Sequence, residues 1–521
     1  MNHKKSHKRV SAGHITKVAR VVVSLLALAA MTLLFTTLEA SVAQWLGWVA
    51  RIQIMPLALA GAAATLAFWF GATLLFGRLY CSWLCPLGVV QDCFARLRRL
   101  TRRLRLRYPY HWHADKNRFR YVWLVIIVAT CVVGVPVLLT FFDPYSTYGR
   151  FASELISPAV EWVAGSPVLV SSWLAFCVAA LTLLIVGWVS YRRGRLLCNT
   201  VCPVGSTLSI LSRYSLFHFD IDTDLCVNCC KCEHNCKAEC IKMADHVVDA
   251  SRCVACFNCV DVCDHKAISY TYKHKKLSLP LMQPVNPSAA SASTMNAGAS
   301  GGSDAISDCD SAADRHDPVK VDRRQFLATG LIIASAPAIG AVAKSSNRIK
   351  ALTNNSRPLP VQRAVAPPGR RSMKEFLERC TGCGLCVARC PSRVLRPSAN
   401  ELGWVNMLHP VMDFERSYCR YNCTRCTEIC PTGALQPLTE EEKHIFIIGH
   451  AAVSTANCIG CGLCSERCPR SAIRMVVRTK EMGRGSLMVA QVDTENCIGC
   501  GACQYICPAT PEKAIGVNGI A

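Results

Sequence analysis

The 521-residue chain has no histidine in any of its four long apolar runs, at about 21–38, 54–76, 122–142 and 169–189. A haem inside a helical bundle needs axial ligands projecting into the bundle core, so intramembrane cytochrome chemistry is excluded. The chain also lacks a nucleotide fingerprint, a catalytic triad and a molybdenum site, and no segment is left over for a DNA-binding or signalling module. Acidic residues are scarce, 35 Asp and Glu against 58 Lys and Arg, for a net charge of +23. The basic residues concentrate beside the apolar runs, where membrane topology explains them better than nucleic acid does. Charge of either sign is limited to 18% of the chain while 51% is hydrophobic, so a membrane part is expected.

What is plentiful is cysteine, 34 residues. Most of them fall in repeated CxxCxxCxxxC blocks, a spacing that holds metal and does not build a secreted disulfide scaffold.

Each apolar run approaches the ~20 helical residues that a bilayer core requires, so four membrane helices are expected. A signal peptide is the rival reading of the first run. The N-terminal 20 residues, the 77–120 loop and the 191–225 segment contain 6, 11 and 4 Lys/Arg, whereas 39–51 and 143–167 contain only Arg51 and Arg150. The positive excess places both ends of this bundle in the cytoplasm. Asp143 and Glu39 then lie where helices emerge on the outer side, as candidates for proton handling, with ordinary interfacial loop charge the favoured reading. Cys131 and Cys177 lie inside runs and read as packing groups.

One phrase occurs twice at the cytoplasmic ends of the second and fourth runs. The pattern GRxxCxxxCPxG covers Gly77 to Gly88, with Cys81 and Cys85, and again Gly194 to Gly205, with Cys198 and Cys202. Four thiolates on one face suit a shared zinc ion or iron–sulfur cluster; a dithiol redox pair and a structural turn are the alternatives.

Two cysteine blocks follow. In two-cluster ferredoxins the fourth cysteine of each block serves the other cluster. Cys226, Cys229, Cys232 and Cys263 then hold one [4Fe–4S] cluster, and Cys253, Cys256, Cys259 and Cys236 the other. Lys237 and Asp264 stand where proline is usual, and Cys230 and Cys240 fall outside the spacing. Residues 277–318 are rich in Pro, Ser, Ala, Gly and Asp without apolar periodicity, a flexible linker.

Arg323-Arg324-Gln325-Phe326-Leu327 and the small apolar residues to Ala343 read as a twin-arginine export signal placed inside the chain. It marks the crossing point between a cytoplasmic half and an exported half. Beyond it come four blocks: Cys380, Cys383, Cys386, Cys390; Cys419, Cys423, Cys426, Cys430; Cys458, Cys461, Cys464, Cys468; and Cys497, Cys500, Cys503, Cys507. The gaps between them are 28, 27 and 28 residues, an internal repeat. Gly384, Gly462 and Gly501 after the second cysteine are expected to let the backbone approach a cluster. Six [4Fe–4S] clusters are expected in all, with a possible additional centre at the CxxxCP phrases.

On these motifs residues 1 to about 275 resemble the NapH-type membrane quinol dehydrogenase subunit, and 321–521 resemble NapG, a twin-arginine-exported polyferredoxin. The chain looks like a natural fusion of the two, and its membrane half is also similar to NosR- and CcoG-type proteins. The resemblance implies oxidation of quinol from the membrane pool and electron transfer to a periplasmic reductase or cytochrome acceptor, after handling by the twin-arginine export machinery. Alternatives are a maturation factor delivering electrons to a metal or cofactor site, and a redox sensor. It also implies that the first and fourth C-terminal blocks intertwine, as do the second and third: Cys507 with Cys380, Cys383 and Cys386; Cys390 with Cys497, Cys500 and Cys503; Cys468 with the second block; Cys430 with the third.

The expected fold is thus an α-helical membrane bundle of four helices, with a fifth signal-anchor helix, plus α+β ferredoxin-like iron–sulfur domains. Its divisions are the membrane domain 1–205, a cytoplasmic two-cluster ferredoxin 206–276, the linker 277–318, the signal and transmembrane segment 319–345, a tether 346–372 and the four-cluster polyferredoxin 373–521. The expected location is the bacterial inner membrane, multi-pass, with the polyferredoxin in the periplasm.

Overall fold

The computed structural model describes residues 12–102, 110–112, 117–165, 171–272, 363–477 and 488–520. The linker and the twin-arginine stretch with its apolar run lie outside the described residues.

The first apolar run forms α1 (Ala12–Thr36), and the last forms α11 (Trp173–Arg193). At 1.5 Å per residue these helices are about 37 and 31 Å long. Within them, His14–Thr36 and Trp173–Arg193 are the two stretches, among the described residues, that are long and apolar enough to cross a membrane.

The expectation of four unbroken spans is not met. The second run is two helices, α3 (Ile54–Ala60) and α4 (Ala63–Phe76), preceded by α2 (Ala40–Arg51). Gly61 caps α3 in the left-handed conformation, φ +74°, and stops it there. The third run is α7 (Asn117–Val132) and α8 (Val137–Phe142), parted by Gly134 at φ +82° and by Pro136, which has no N–H to continue a helix. Period and composition had no way to weigh these single-residue stops.

Each CxxxCP phrase turns the chain at a helix end. Short α5 (Leu79–Trp83) leads into the amphipathic α6 (Pro86–Arg102), and α12 (Leu196–Thr200) leads into α13 (Pro203–Ser212). The loop after α8 is tucked into the protein: all eight residues of α9 (Pro144–Phe151) are buried. Asp143 is its N-cap, accepting from Ser146 N at 2.8 Å and Ser146 Oγ at 2.7 Å. A π-helical turn (Ala152–Ile156) and α10 (Ser157–Val163) complete the loop. Asp143 is therefore a buried helix cap, while Glu39 is exposed.

The first ferredoxin region contains β1 (Phe217–Ile221), α14 (Lys231–His234), β2 (Ile241–Lys242), β3 (Val247–Val248), α15 (Asn258–Val262) and β4 (Ile268–Tyr272), with β1 beside β4 and β2 beside β3. The second starts with α16 (Met373–Arg379), α17 (Leu385–Ala388), β5 (Leu395–Pro397), β6 (Pro410–Met412), α18 (Arg425–Glu428) and α19 (Glu440–Ile445). It ends with β7 (Gly449–Val453), α20 (Leu463–Arg467), β8 (Ile473–Val477), β9 (Met488–Val492), α21 (Ala502–Ile506) and β10 (Ile515–Gly519). β7 pairs antiparallel with β10, from Gly449 opposite Gly519 to Val453 opposite Ile515, which closes the third and fourth blocks into one unit. β5 pairs with β6 between the first and second blocks.

The two ferredoxin regions sit at opposite ends of α1 and α11. Near the start of α1, His14 and Lys17 pair with Asp261 at 2.7 and 2.5 Å. At its end, Arg389 donates to the Thr37 and Glu39 carbonyls, and Arg425 donates to that of Leu38 at 2.8 Å. α11 runs the other way. Arg416 reaches the Ser171 carbonyl at 2.9 Å just before its start, and past its end Arg195 N donates to the Lys237 carbonyl at 2.9 Å.

Candidate iron–sulfur centres

The two CxxxCP phrases lock together by exchange. Arg195 donates to the Cys81 carbonyl at 2.5 Å, and Arg78 donates to the Cys198 carbonyl at 3.2 Å. Each arginine lies on the glycine that ends the opposite phrase. A Cβ on Gly88 would stand 3.2 Å from Arg195 Nη1, and one on Gly205 would stand 2.9 Å from Arg78 Nη2. This explains why Gly and Arg repeat together with the cysteines. Both arginines are fully buried, and so are Cys81, Cys85 and Cys198.

Cys81, Cys85, Cys198 and Cys202 lie close enough to affect one another's ionisation. Burial pushes the Cys198 thiol up to about 11 even with Arg195 beside it. Burial and then the neighbouring cysteines raise Cys85 and Cys202 further. Four dry thiols flanked by two guanidinium groups fit a metal centre that takes thiolates and carries net negative charge. The same burial counts against a dithiol that must meet an external partner. Among the described residues no three His, Cys, Asp or Glu side chains close in on a single-ion site, so the zinc reading gains no support from the geometry.

Asp92, which the sequence did not single out, ties this turn to the first ferredoxin. Its carboxylate accepts from Arg195 Nε at 2.8 Å, Lys237 Nζ at 2.8 Å and Arg20 Nη1 at 3.1 Å. Burial works to raise its pKa, but the three cations outweigh burial and hold the carboxyl well below the usual range. The departure from proline at Lys237 is therefore the anchor of the ferredoxin on the helices. Asp264, at the equivalent position, is exposed and pairs with Lys231.

In this ferredoxin burial and then Cys256, Cys253, Cys236 and Cys232 raise the Cys259 thiol, so the expected second set is gathered with Cys232 of the first close by. Cys232 responds to Cys229 and Cys226, part of the first. Cys240, outside the spacing, also reaches the second set: its Sγ is 3.4 Å from that of Cys236.

The C-terminal region corrects the expected partnering. One cavity is lined by Cys380, Cys383, Cys386 and Cys430, and another by Cys468, Cys497, Cys500 and Cys503. Cys390 lies with Cys419, Cys423 and Cys426. The first block thus exchanges its fourth cysteine with the second, as β5–β6 pairing between them favours. Cys468 goes to the fourth block, as β7–β10 pairing favours, and Cys458, Cys461 and Cys464 are left for Cys507. Implied partnering of first with fourth and second with third is overturned.

Cavities lined by four cysteines are one sign that these residues fit clusters; Lys443 is another. Its side chain is fully buried in α19, its Nζ has no hydrogen-bond partner among the described residues, and Cys419, Cys426 and Cys500 lie around it. A buried ammonium without a partner is costly. Clusters held by these thiolates would supply the counter-charge. Gly384, Gly462 and Gly501 have φ near +77° to +79° and cap the short helices α17, α20 and α21. That conformation is the reason for glycine there; Phe257 and Cys230 adopt it with side chains in the first ferredoxin.

The sets form a series. Cys383 and Cys430 border Tyr145 of the tucked loop, and Asp143 is near both Tyr145 and Cys383. Tyr80, bonded to Gln53 Oε1 at 2.6 Å, neighbours Asp143 on one side and Cys85 on the other. Cys419 N donates to the Cys500 carbonyl at 2.9 Å, joining the Cys390/419/423/426 set to the Cys468/497/500/503 set. Cys461, in the last set, is exposed.

A 4Fe-4S binding domain model matches residues 57–105 and 172–222, each match containing one CxxxCP phrase. A 4Fe-4S dicluster domain model matches 379–434 and 457–510, which are the first-with-second and third-with-fourth units found above; a second dicluster model matches 418–473. The chain is 29% identical over 198 residues to an uncharacterised protein of Methanocaldococcus jannaschii (37% of this chain, 65% of that one). It is 29% identical over 226 residues to the ferredoxin-type protein NapH of Haemophilus influenzae (41% and 68%), and 30% identical over 146 residues to the methylamine utilization ferredoxin-type protein MauM of Methylobacillus flagellatus (26% and 61%). The chain thus covers 61–68% of the length of these relatives. No solved structure matches it. NapH- and MauM-type proteins are homologues of parts of this chain, which is an iron–sulfur electron-transfer protein related to them.

Proposed function

We propose that the protein oxidises membrane quinol and delivers the electrons to a reductase or cytochrome on the outer side of a bacterial inner membrane. The observation that carries this reading is the placement of one ferredoxin region at each end of two antiparallel apolar helices. With α1 and α11 crossing the bilayer, and the shorter α2–α4 and α7–α9 packed beside them, the basic 77–102 and 192–213 segments lie on the cytoplasmic side with the first ferredoxin. The C-terminal region then lies outside, as a twin-arginine signal between the two requires.

Twenty-four cysteines hold six [4Fe–4S] clusters in this reading, and Cys81, Cys85, Cys198 and Cys202 hold a seventh, which the family match across both phrases supports. Such clusters supply one-electron transfer, and the chain supplies their spacing, burial and charge. Arg78 and Arg195 fix the four thiols of the inner centre, Tyr80, Asp143 and Tyr145 fill the path towards Cys383, and exposed Cys461 marks the exit.

The test is anaerobic reduction of purified protein by a menaquinol analogue, followed by the visible and EPR signals of the clusters. Quinol should reduce them, and Cys85→Ser or Cys202→Ser should stop quinol from reducing the C-terminal clusters while dithionite still reduces the rest. Wild-type protein that accepts electrons from dithionite but never from quinol would defeat the proposal.

A further inference from the structure

One cavity of about 410 Å³ is not accounted for by any cysteine set. It lies between α1, α6 and α15, at the inner end of the helices. Arg20, Ser24, Leu25, Asp92, Lys237 and Asn258 are among its walls. The volume falls within the ~300–1,000 Å³ usual for sites of small organic ligands.

We propose that this cavity receives the ring of the quinol, an inference that rests on the donor proposed above. One wall is apolar, formed by Val21, Leu25 and Val89. Leu25 is 49% exposed on the outside of α1, next to Val22 at 49% and Leu26 at 65%, so the wall continues into a greasy outer face along which a prenyl tail can lie.

Two polar atoms of lining residues are unpartnered: Arg20 and Asn258 are 4% and 6% exposed, and Arg20 Nε and Asn258 Oδ1 have no hydrogen-bond partner among the described residues. Buried polar atoms are normally paired, so two orphans on one cavity point to an absent ligand. A donor and an acceptor together suit a molecule that alternates between carbonyl and hydroxyl. Arg20 and Lys237 pair with Asp92 and Lys17 pairs with Asp261, while exposed Arg96 adds a further positive charge to the rim. The apolar wall and the donor–acceptor pair carry the choice of a neutral ring, and the phosphate of a lipid headgroup is the competing occupant that the experiment separates.

The cavity also abuts a cysteine set. Asn258 precedes Cys259 and Lys237 follows Cys236 in the chain, and both line the cavity. Oxidation of one quinol breaks two O–H bonds. Cys236, Cys253, Cys256 and Cys259 would hold the iron–sulfur centre that takes the two electrons one at a time and passes them towards the external acceptor, while the two protons go to water at the open side of the cavity.

The experiment uses the full chain in detergent with its iron in place. A photoreactive azidoquinone with a short prenyl tail is cross-linked and the labelled peptides are identified, and binding of a short-tail menaquinone is measured by titration. Label is expected within residues 17–25 or 89–96. Ser24→Trp, which fills the cavity from α1, a helix without cysteine, is expected to weaken binding at least tenfold with iron content and dithionite reduction unchanged. Asn258→Leu should weaken it less. If menaquinol reduces the wild-type clusters but the label falls elsewhere, or Ser24→Trp binds normally, the site is wrong and the quinol donor stands. If neither analogue binds nor reduces the protein, the donor fails and the site with it. A phospholipid held in the cavity that quinone does not displace overturns the proposal as well.

Discussion

The two ferredoxin regions use the same cysteine spacing and relate to the helices in opposite ways. The first has no core of its own: Phe219, Ile221, Ile241 and Ile268 belong to one hydrophobic cluster with Met31, Phe35, Tyr80 and Leu208 of the helical part. A buried charge network around Asp92 reinforces the joint. The second has a separate core, built from residues such as Phe376, Leu395, Phe414, Ile448, Ile473 and Val517, and only a few residues of the first two blocks, Leu385 and Ile429 chief among them, enter the helical cluster. Its other ties include arginines reaching helix-end carbonyls and the Arg393–Glu161 ion pair. The lesson is that the first region shares the core of the helical domain, while the second has a core of its own that can form before it docks.

The sharpest way to break this comparison is to separate the regions. Residues 363–521 expressed alone should fold and take about 16 iron atoms in four clusters. Residues 206–276 alone should lose the apolar contacts of Phe219 and Ile268 and fail to retain iron. Iron and sulfide analysis decides it, and equal retention by both fragments would erase the distinction.

A smaller effect separates units within the second region. Cys430→Ser should alter the same EPR signal as Cys383→Ser, and Cys507→Ser should alter that of Cys461→Ser. The two arrangements are indistinguishable in the sequence, because gaps of 28, 27 and 28 residues permit either exchange. Only the strand pairing, β5 with β6 and β7 with β10, selects between them. The cysteines themselves, the twofold phrase and the division into two ferredoxin regions were legible, since each depends on local spacing. The breaks at Gly61 and Gly134 are single-residue stops that apolar period and composition do not weigh, whereas the burial of the 143–151 loop and the convergence of Arg20, Arg195 and Lys237 on Asp92 depend on contacts far apart in the chain.

Asp92→Asn tests the first joint. Leaving three buried cations short of their carboxylate should cost about 3–5 kcal/mol. It should lower the melting transition of the helical part and first ferredoxin and leave that of the second region in place. The pH dependence has a definite sign. Because the folded carboxyl is depressed, its contribution is present above the unfolded value of about 3.9 and is lost as pH falls below it. The Asn variant should lack that component.

The smallest effect belongs to the docking surface. Arg393 meets Glu161 at 2.7 Å, and the pair is partly exposed. Glu161→Gln should weaken docking by no more than about 1 kcal/mol and less in high salt, read as the rate of limited proteolysis at the helix ends.

The central claim is that the cysteine sets form one continuous line from the inner end of α1 to Cys461 on the outside. The most direct measurement places the full chain in sealed right-side-out vesicles, reduces it with quinol and adds ferricyanide, which cannot cross the membrane. The account predicts that the clusters of both ferredoxin regions are reoxidised while the vesicles remain sealed. Reoxidation of the first region only after detergent is added would show that the line is broken, and no external reoxidation at all would show that the C-terminal region is not outside.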